Sequence, residues 1–282
     1  MDIEIGGAMW RVIAASLASR DHIAAAAPNQ DAFRVRRLQW MSGETCLGFA
    51  IADGVTADAR GSEAAEVGVG SAMAALEAIV STSRRPPAIQ EYGPIGRTVL
   101  DRTRGRLADM VRLLEASPGM RLRELSESSP STSGYGSTLA CFLLTPPVLM
   151  VASIGSTIAV ARVSEKDFHL VLPPWGPDGT LETDVFWASR GASNLARCYA
   201  YWEPRLTGLL VGSDGLAGRL LNPDRDAFWP LRAQDQADSE DPVRSLFSML
   251  GDPATPLGES QVLRSITEDD VTAIAIGRTG QA

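Results

Sequence analysis

The sequence predicts an α+β layered domain with antiparallel β-sheets. Predicted strands come first, followed by two helices, more strands, one helix and a final strand, which differs from the alternation of βαβ units. Short turns separate several of the strands, as in residues 137–163, and such turns favour antiparallel pairing. A chain of 282 residues with 45% hydrophobic content can bury a large core. No internal repeat or linker is visible, so we expect one domain over residues 1–282.

The first half of the chain predicts three strands and two helices. Short apolar runs bounded by polar or glycine-containing turns predict strands over 10–17, 32–38 and 46–52. In residues 61–80, apolar side chains recur every three or four positions, which is typical of one face of a helix. A second helix is predicted over 89–115. Residues 126–136 are rich in Ser, Gly and Pro and are predicted to form an exposed loop.

The second half predicts mainly strands. Apolar runs indicate strands over 137–144, 148–153, 158–163, 169–172 and 206–211. A short helix is predicted over 242–250 and a last strand over 271–276. Residues 173–204 contain several Trp, Gly and Pro without a clear period, so we expect an irregular surface segment there.

Composition and charge exclude several classes of function. A formal charge of -8 and a pI near 4.9 argue against a nucleic-acid or anionic-membrane partner. Three dispersed cysteines are a poor disulfide framework and a poor zinc site. From the sequence we expect no secretory leader, because no basic segment is followed by an apolar stretch, and no membrane span, because no window approaches the roughly 20 apolar residues that one needs. We therefore expect a cytoplasmic protein.

Aspartates stand at the ends of several predicted strands. Asp31 opens a strand, Asp53-Gly54 and Asp214-Gly215 each follow an apolar strand, and Asp269-Asp270 precede the last strand. A single Asp-Gly step is more typical of a turn. Together, however, these steps present rigidly held carboxylates, and the following glycines allow a ligand to approach closely. Carboxylate and carbonyl oxygens are the ligands preferred by Mg²⁺ and Mn²⁺, so the pattern predicts a divalent-metal site.

Five ordered segments resemble the metal-dependent protein phosphatases of the 2C type, and most closely their bacterial branch. The segments are Asn29-Gln30-Asp31-Ala32-Phe33, Phe49-Ala50-Ile51-Ala52-Asp53-Gly54, Gly136-Ser137-Thr138-Leu139, Leu210-Val211-Gly212-Ser213-Asp214-Gly215 and Asp269-Asp270-Val271-Thr272. The resemblance extends from about residue 10 to residue 278. It implies a four-layer αββα sandwich, in which two central antiparallel sheets are flanked by helices.

The same resemblance implies a site with two Mn²⁺ or Mg²⁺ ions that activate a hydroxide to attack a phosphoryl group. Asp53 would bridge the ions and Gly54 would supply a backbone carbonyl to one of them. Asp214 and Asp269 would complete the first metal, and Asp31 would lie beside the second. Asp53, Asp214 and Asp269 are therefore expected to be the catalytic residues. Two such ions neutralise phosphoryl oxygens and require no protein nucleophile.

The sequence departs from the family pattern at several positions. Gln30 and Val55 stand where many members have Glu and His. Ser156 replaces an aspartate that helps to hold a third metal, so that third site is expected to be weak or absent. Ala26 stands where many members have a phosphate-gripping Arg.

Two residues just before Asp31 are candidates for binding phosphate. His22 lies at a position where the bacterial branch has a His, and it is equally well interpreted as a structural residue. Arg20 is a second candidate for a phosphate contact.

The sequence thus predicts a serine/threonine phosphoprotein phosphatase that acts in signalling on the substrates of a cognate kinase. The alternative is a pseudophosphatase, with weak or no activity, that serves as a regulatory binding module. Ser156 and Ala26 favour the alternative, whereas retention of Asp53, Asp214 and Asp269 opposes it. A serine hydrolase using Ser213 is a poor third choice, because the G-x-S-x-G spacing is missing.

Overall fold

The structure is a computed structural model that describes residues 1–55, 60–115, 135–174, 186–187, 196–222, 227–228, 241–252 and 255–279. Its strands are β1 (Asp2–Ile5), β2 (Ala8–Leu17), β3 (Asp31–Gln39), β4 (Thr45–Asp53), β5 (Gly136–Ser137), β6 (Leu139–Thr145), β7 (Val148–Ile154), β8 (Ile158–Arg162), β9 (Phe168–Leu172), β10 (Phe186–Trp187), β11 (Arg197–Trp202), β12 (Gly208–Gly212), β13 (Leu221–Asn222), β14 (Ala227–Phe228) and β15 (Val271–Arg278).

The α-helices are α1 (Arg20–Ala24), α2 (Gly61–Thr82), α3 (Tyr92–Glu115), α4 (Asp214–Leu220), α5 (Pro242–Ser248) and α6 (Gln261–Arg264). Short 3₁₀ turns cover Ile89–Glu91, Met249–Gly251 and Leu257–Glu259. The predicted strands and the two long helices lie within a few residues of their predicted positions. Helices α1, α4 and α6 and strands β1, β10, β11, β13 and β14 were not predicted.

Two antiparallel sheets form the centre of the fold. One has six strands in the order β1-β2-β15-β12-β8-β9, and the other has five in the order β11-β7-β6-β4-β3. Every pairing within them is antiparallel. The apolar faces of the two sheets pack against each other, with the rings of Phe49 and Phe142 stacked 4.8 Å apart. Each large side chain buried in this way contributes about 1.5–3 kcal/mol.

Helices cover the outer face of each sheet. Helices α2 and α3 bury Met73, Leu76 and Leu107 against the five-stranded sheet. Helices α4, α5 and α6 bury Leu216, Leu246 and Leu263 against the six-stranded sheet. The layers are therefore helix, sheet, sheet and helix, which confirms the predicted fold class.

Helix α2 corrects the expectation that no segment is long and apolar enough to span a membrane. Its 22 residues meet both criteria by length and composition. More than half of its most apolar window is buried inside the fold, where Ala72, Met73 and Leu76 contact the sheet. The apolar character of α2 is accounted for by its place in the protein core.

The prediction of an irregular segment over 173–204 is wrong at residues 186–187, which form β10 and pair with β5, and at residues 197–202. Residues Arg197–Trp202 form β11, which pairs with β7 at the edge of the five-stranded sheet. Residues 175–185 and 188–195 lie outside the described residues, as do residues 126–134 of the predicted loop.

Candidate active site

Asp31 and Asp53 are brought together by the pairing of β3 with β4. Asp31 is the first residue of β3 and Asp53 is the last of β4, and the two are directly opposite in the antiparallel register. Residues opposite each other in such a pair have Cα atoms about 4.5–5.5 Å apart. The backbone N–H of Asp53 donates to Thr138 Oγ1 at 3.0 Å, which fixes the end of β4.

Asp214 and Asp269 reach the same edge from the other sheet. Asp214 begins α4 two residues after β12 ends, and Asp269 lies two residues before β15 begins. Strands β12 and β15 are neighbours, with Gly212 opposite Ala273. A hydrogen bond of 2.7 Å from Ser213 Oγ to Asp31 Oδ2 joins the two sheets at this edge.

The four carboxylates interact with one another electrostatically. Burial and the charges of Asp31, Asp214 and Asp269 raise the pKa of Asp53 from 3.8 to about 10. Burial, together with the charges of Asp214 and Asp270, raises the pKa of Asp31 to about 7, although the hydrogen bond from Ser213 and the nearby Thr272 side chain oppose this. Burial and the charge of Asp214 raise the pKa of Asp269 to about 6. Such mutual repulsion is relieved when a cation binds between the carboxylates.

The donor set fits a divalent cation in chemistry. Asp31 Oδ1 is buried and has no hydrogen-bond partner among the described residues, which leaves one anionic oxygen available. Gly54 has its N–H bonded to the Gln30 carbonyl at 3.0 Å, and a Cβ on Gly54 would lie 2.4 Å from the Gly61 carbonyl carbon. Within the described part of the chain, however, no group of three or more His, Cys, Asp or Glu side chains is placed so that it could hold a metal ion as it stands.

Asp270 has a structural role that the sequence did not indicate. Its buried carboxylate accepts hydrogen bonds from the backbone N–H groups of Ser19 at 2.7 Å and Gln30 at 2.6 Å. The ring of His22 contacts both oxygens through Nδ1, at 2.8 and 2.9 Å. Through these hydrogen bonds, Asp270 links the segment that contains His22 and Asp31 to the start of β15. The sequence signal was an Asp-Asp pair, but Ser19 and Gln30, which bond to its second member, lie 251 and 240 residues away along the chain.

The two predicted phosphate-binding residues lie in α1. Asp270 holds Nδ1 of His22, so Nε2 is the ring nitrogen left for a ligand. Arg20 is exposed at the first position of α1, and its backbone N–H donates to the Thr267 carbonyl at 3.1 Å. Both residues therefore belong to the segment next to Asp31.

A cavity of about 260 Å³ lies at the opposite end of the sandwich. Its walls include Ile5 and Ala8 at the β1–β2 turn and Arg278 at the end of β15. The aspartates lie at the other end of these strands, so this cavity is separate from them.

The chain matches the model of one protein family over most of its length. The family model described as Protein phosphatase 2C matches residues 19–256, which is most of the chain. This chain belongs to the protein phosphatase 2C family. Membership places it among the protein serine/threonine phosphatases and confirms the resemblance found in the sequence. No curated protein matches the sequence.

Solved structures of bacterial phosphatases share the protein phosphatase 2C fold. The serine/threonine phosphatase Stp1 from Staphylococcus aureus is 14% identical, with 99% of this chain and 98% of that chain covered and a TM-score of 0.60. PstP/Ppp from Mycobacterium tuberculosis is 15% identical, with 95% and 98% covered and a TM-score of 0.53. A PstP catalytic domain in complex with two manganese ions is 17% identical, with 96% and 99% covered and a TM-score of 0.54. At these identities the likeness shows the fold.

Departures from the protein phosphatase 2C pattern also have a place in the structure. Ser156, at the position of the expected third-metal aspartate, directs its hydroxyl toward Asp214 Oδ2 at 3.4 Å. Val55 donates its N–H to the Gly136 carbonyl at 3.0 Å. Ala26, at the position of the expected Arg, lies in the turn that follows α1 and has a positive φ of 51°. Each of these three positions therefore carries a short polar or apolar side chain in this chain.

Proposed function

We propose that this protein removes phosphate from phosphoserine and phosphothreonine in proteins, using divalent cations held by Asp31, Asp53, Gly54, Asp214 and Asp269. The observation that carries the proposal is the meeting of four carboxylates at one edge of the two sheets, where burial and the charges of Asp31, Asp214 and Asp269 raise the pKa of Asp53 to about 10. A cluster of this kind is stabilised by a bound cation and is costly without one. The family match over residues 19–256 also supports a single catalytic domain over residues 1–282.

Each carboxylate has a distinct position in the proposed site. Asp53 has carboxylates from both sheets around it, which suits a ligand shared by two cations. Asp214 and Asp269 come from the neighbouring strand ends of one sheet and suit the first cation. Asp31 has one buried oxygen without a hydrogen-bond partner in the described part of the chain, and it therefore suits the second cation. The bound cations would polarise the phosphoryl group and make a water molecule acidic enough to attack it near neutral pH.

Manganese is the first metal to test, with magnesium second. An all-oxygen donor set is suited to both ions. The solved PstP domain contains two manganese ions, which supports the proposal of two sites here. Ser156 supplies a hydroxyl where a third site needs a carboxylate, so two ions are proposed rather than three.

His22 and Arg20 are proposed to grip the phosphate. Asp270 accepts a hydrogen bond from Nδ1 of His22 and so fixes the ring, and Nε2 can donate to a phosphoryl oxygen or the leaving group when the ring is an imidazolium. Arg20 is exposed on the same short helix and can pair with an anionic oxygen. The partner is proposed to be a phosphoprotein made by a cognate serine/threonine kinase, and the cytoplasmic location stays a prediction.

A regulatory pseudophosphatase is the second candidate function. The observation that favours it is Ser156, which bonds to Asp214 in place of an additional carboxylate ligand. In this alternative, the site binds a cation or a phosphoprotein without appreciable turnover.

Phosphate release from a phosphothreonine peptide distinguishes the two candidates. The purified protein is assayed with Mn²⁺, with Mg²⁺ and with EDTA, beside Asp53→Asn and a surface control, Asp109→Asn. Asp109 pairs with Arg112 on the exposed side of α3. We expect metal-dependent release that is lost in Asp53→Asn and retained in Asp109→Asn. Binding of Mn²⁺ without release by the unaltered protein would favour the pseudophosphatase.

A further inference from the structure

We propose that Ser213 is a positioning residue that orients Asp31, so that Asp31 Oδ1 is the oxygen presented to a divalent cation. The inference rests on the proposed function, because it concerns the same carboxylates. Ser213 itself is not one of the predicted metal ligands. Ser213 lies between the end of β12 and Asp214, and it is 2% exposed.

The backbone fixes the direction of the Ser213 hydroxyl. The N–H of Ser213 donates to the Thr272 carbonyl at 3.1 Å, and the N–H of Thr272 donates to Ser213 Oγ at 3.0 Å. The Ser213 hydroxyl has a single proton to donate, and its oxygen already accepts the hydrogen bond from the N–H of Thr272. The proton is therefore directed to Asp31 Oδ2, which lies 2.7 Å away.

The two oxygens of Asp31 consequently differ. Oδ2 accepts a hydrogen bond from Ser213, whereas Oδ1 is buried without a partner among the described residues. A buried anionic oxygen without a partner is costly. Rotation of the carboxyl group would exchange the two oxygens, and the Ser213 hydrogen bond opposes that rotation. The oxygen left open is thus selected by Ser213.

A closed ring of hydrogen bonds supports this orientation. The N–H of Asp31 donates to Asn29 Oδ1 at 2.9 Å, and Asn29 Nδ2 donates to Ser16 Oγ at 2.7 Å. Thr272 Oγ1 donates to the same Ser16 oxygen at 2.7 Å, and Thr272 leads back to Ser213 and Asp31. The ring joins β2, β15, the end of β12 and the start of β3. The ring fixes both the backbone N–H and the side-chain Oδ2 of Asp31, and it opposes displacement of the Asp31 carboxylate by repulsion from neighbouring carboxylates.

Substitution of a residue that orients a metal ligand typically lowers metal affinity 10–100-fold. Ser213 is too deeply buried to contact a phosphoprotein itself. Its effect should therefore fall on binding of the cation beside Asp31.

Calorimetric titration of the purified protein with Mn²⁺ tests the inference. The variants are Ser213→Ala, which removes the hydroxyl, and Ser213→Cys, which keeps the size but donates weakly. Ser153→Ala is the matched control, because Ser153 is also a buried serine and its hydroxyl has no hydrogen-bond partner among the described residues. We expect at least about 10-fold weaker binding at one of two sites in Ser213→Ala. Ser213→Cys should lie between Ser213→Ala and the wild type, and Ser153→Ala should match the wild type.

Several results would overturn the inference. Wild-type Mn²⁺ affinity in Ser213→Ala, in protein with a normal melting temperature, would remove the positioning role. If Ser213→Ala fails to fold, wild-type Mn²⁺ affinity in Ser213→Cys would remove the positioning role instead. Equal weakening in Ser153→Ala would show that the effect is general loss of packing. If the wild-type protein binds no Mn²⁺ at all, the proposed function itself fails.

Discussion

Replacement of Asp31 by Asn should stabilise the metal-free protein while it weakens metal binding. Asp31 is 8% exposed, and burial with the charges of Asp214 and Asp270 raises its pKa from 3.8 to about 7. A carboxyl group with a raised pKa in the folded state favours folding only while it is protonated. Its favourable contribution is complete below about pH 4 and is lost as the pH rises to about 7. The wild-type protein in EDTA should therefore be less stable at pH 8 than at pH 5.

The magnitude follows from the two pKa values. At about 1.4 kcal/mol per pH unit between 3.8 and about 7, ionised Asp31 costs about 4 kcal/mol in the metal-free protein. Asn avoids that cost and can still accept the hydrogen bond from Ser213, although its amide group introduces donors that need partners, at about 1–3 kcal/mol. The net gain at pH 8 is then about 1–3 kcal/mol. It corresponds to a rise in melting temperature of several degrees, at about 2–4 °C per kcal/mol.

Thermal unfolding in EDTA at pH 5 and pH 8 measures this difference. Asp31→Asn should melt above the wild type at pH 8, and the gap should shrink at pH 5. Added Mn²⁺ should raise the melting temperature of the wild type more than that of the variant, because a bound ligand stabilises the folded state by mass action. A variant that is less stable than the wild type at pH 8, or a gap that does not depend on pH, would refute the reasoning.

Three further substitutions test separate parts of the site. Gly54→Ala should destabilise the fold by about 1–3 kcal/mol in thermal unfolding, because its Cβ would lie 2.4 Å from backbone at Gly61. Gly105→Ala is the control, since nothing lies within 4 Å, and it should stabilise α3 by about 0.5–1 kcal/mol; equal effects would contradict the steric reasoning. Asp270→Asn should lower stability by about 1–3 kcal/mol, because a buried N–H loses its acceptor, and an unchanged melting temperature would show that the contacts contribute nothing. His22→Ala should raise KM for an aryl phosphate several-fold if Nε2 contacts phosphate; unchanged kinetics would make His22 structural.

The sequence predicted most of the fold because the central strands are long apolar runs. Strand β4 is almost entirely buried and was predicted as 46–52, against Thr45–Asp53 in the structure. Strand β11 was missed because it lies at a sheet edge, where only one neighbour pairs with it, and because Trp, Gly and Pro surround it in the sequence. Helices α1, α4 and α6 have 5, 7 and 4 residues, which is too short for a helical period to appear.

The candidate site was predictable to the extent that its residues carry local signals. Asp53 and Asp214 each follow an apolar strand and precede Gly, and that pattern can be read within ten residues. The contributions of Ser213 and Asp270 could not be predicted in this way. Ser213 bonds to Asp31 across 182 residues, and Asp270 bonds to Ser19 across 251. Such contacts depend on the packing of two sheets, which no local pattern encodes.

Hydrolysis of an aryl phosphate by the wild type and by Asp214→Asn tests the central claim most directly. Turnover is measured with Mn²⁺, with Mg²⁺ and after addition of EDTA, and circular dichroism checks that both proteins are folded. The account predicts turnover that requires metal, stops in EDTA and is lost in Asp214→Asn. Turnover that persists in EDTA, or full activity in the folded variant, would contradict a metal-dependent phosphatase site at these aspartates.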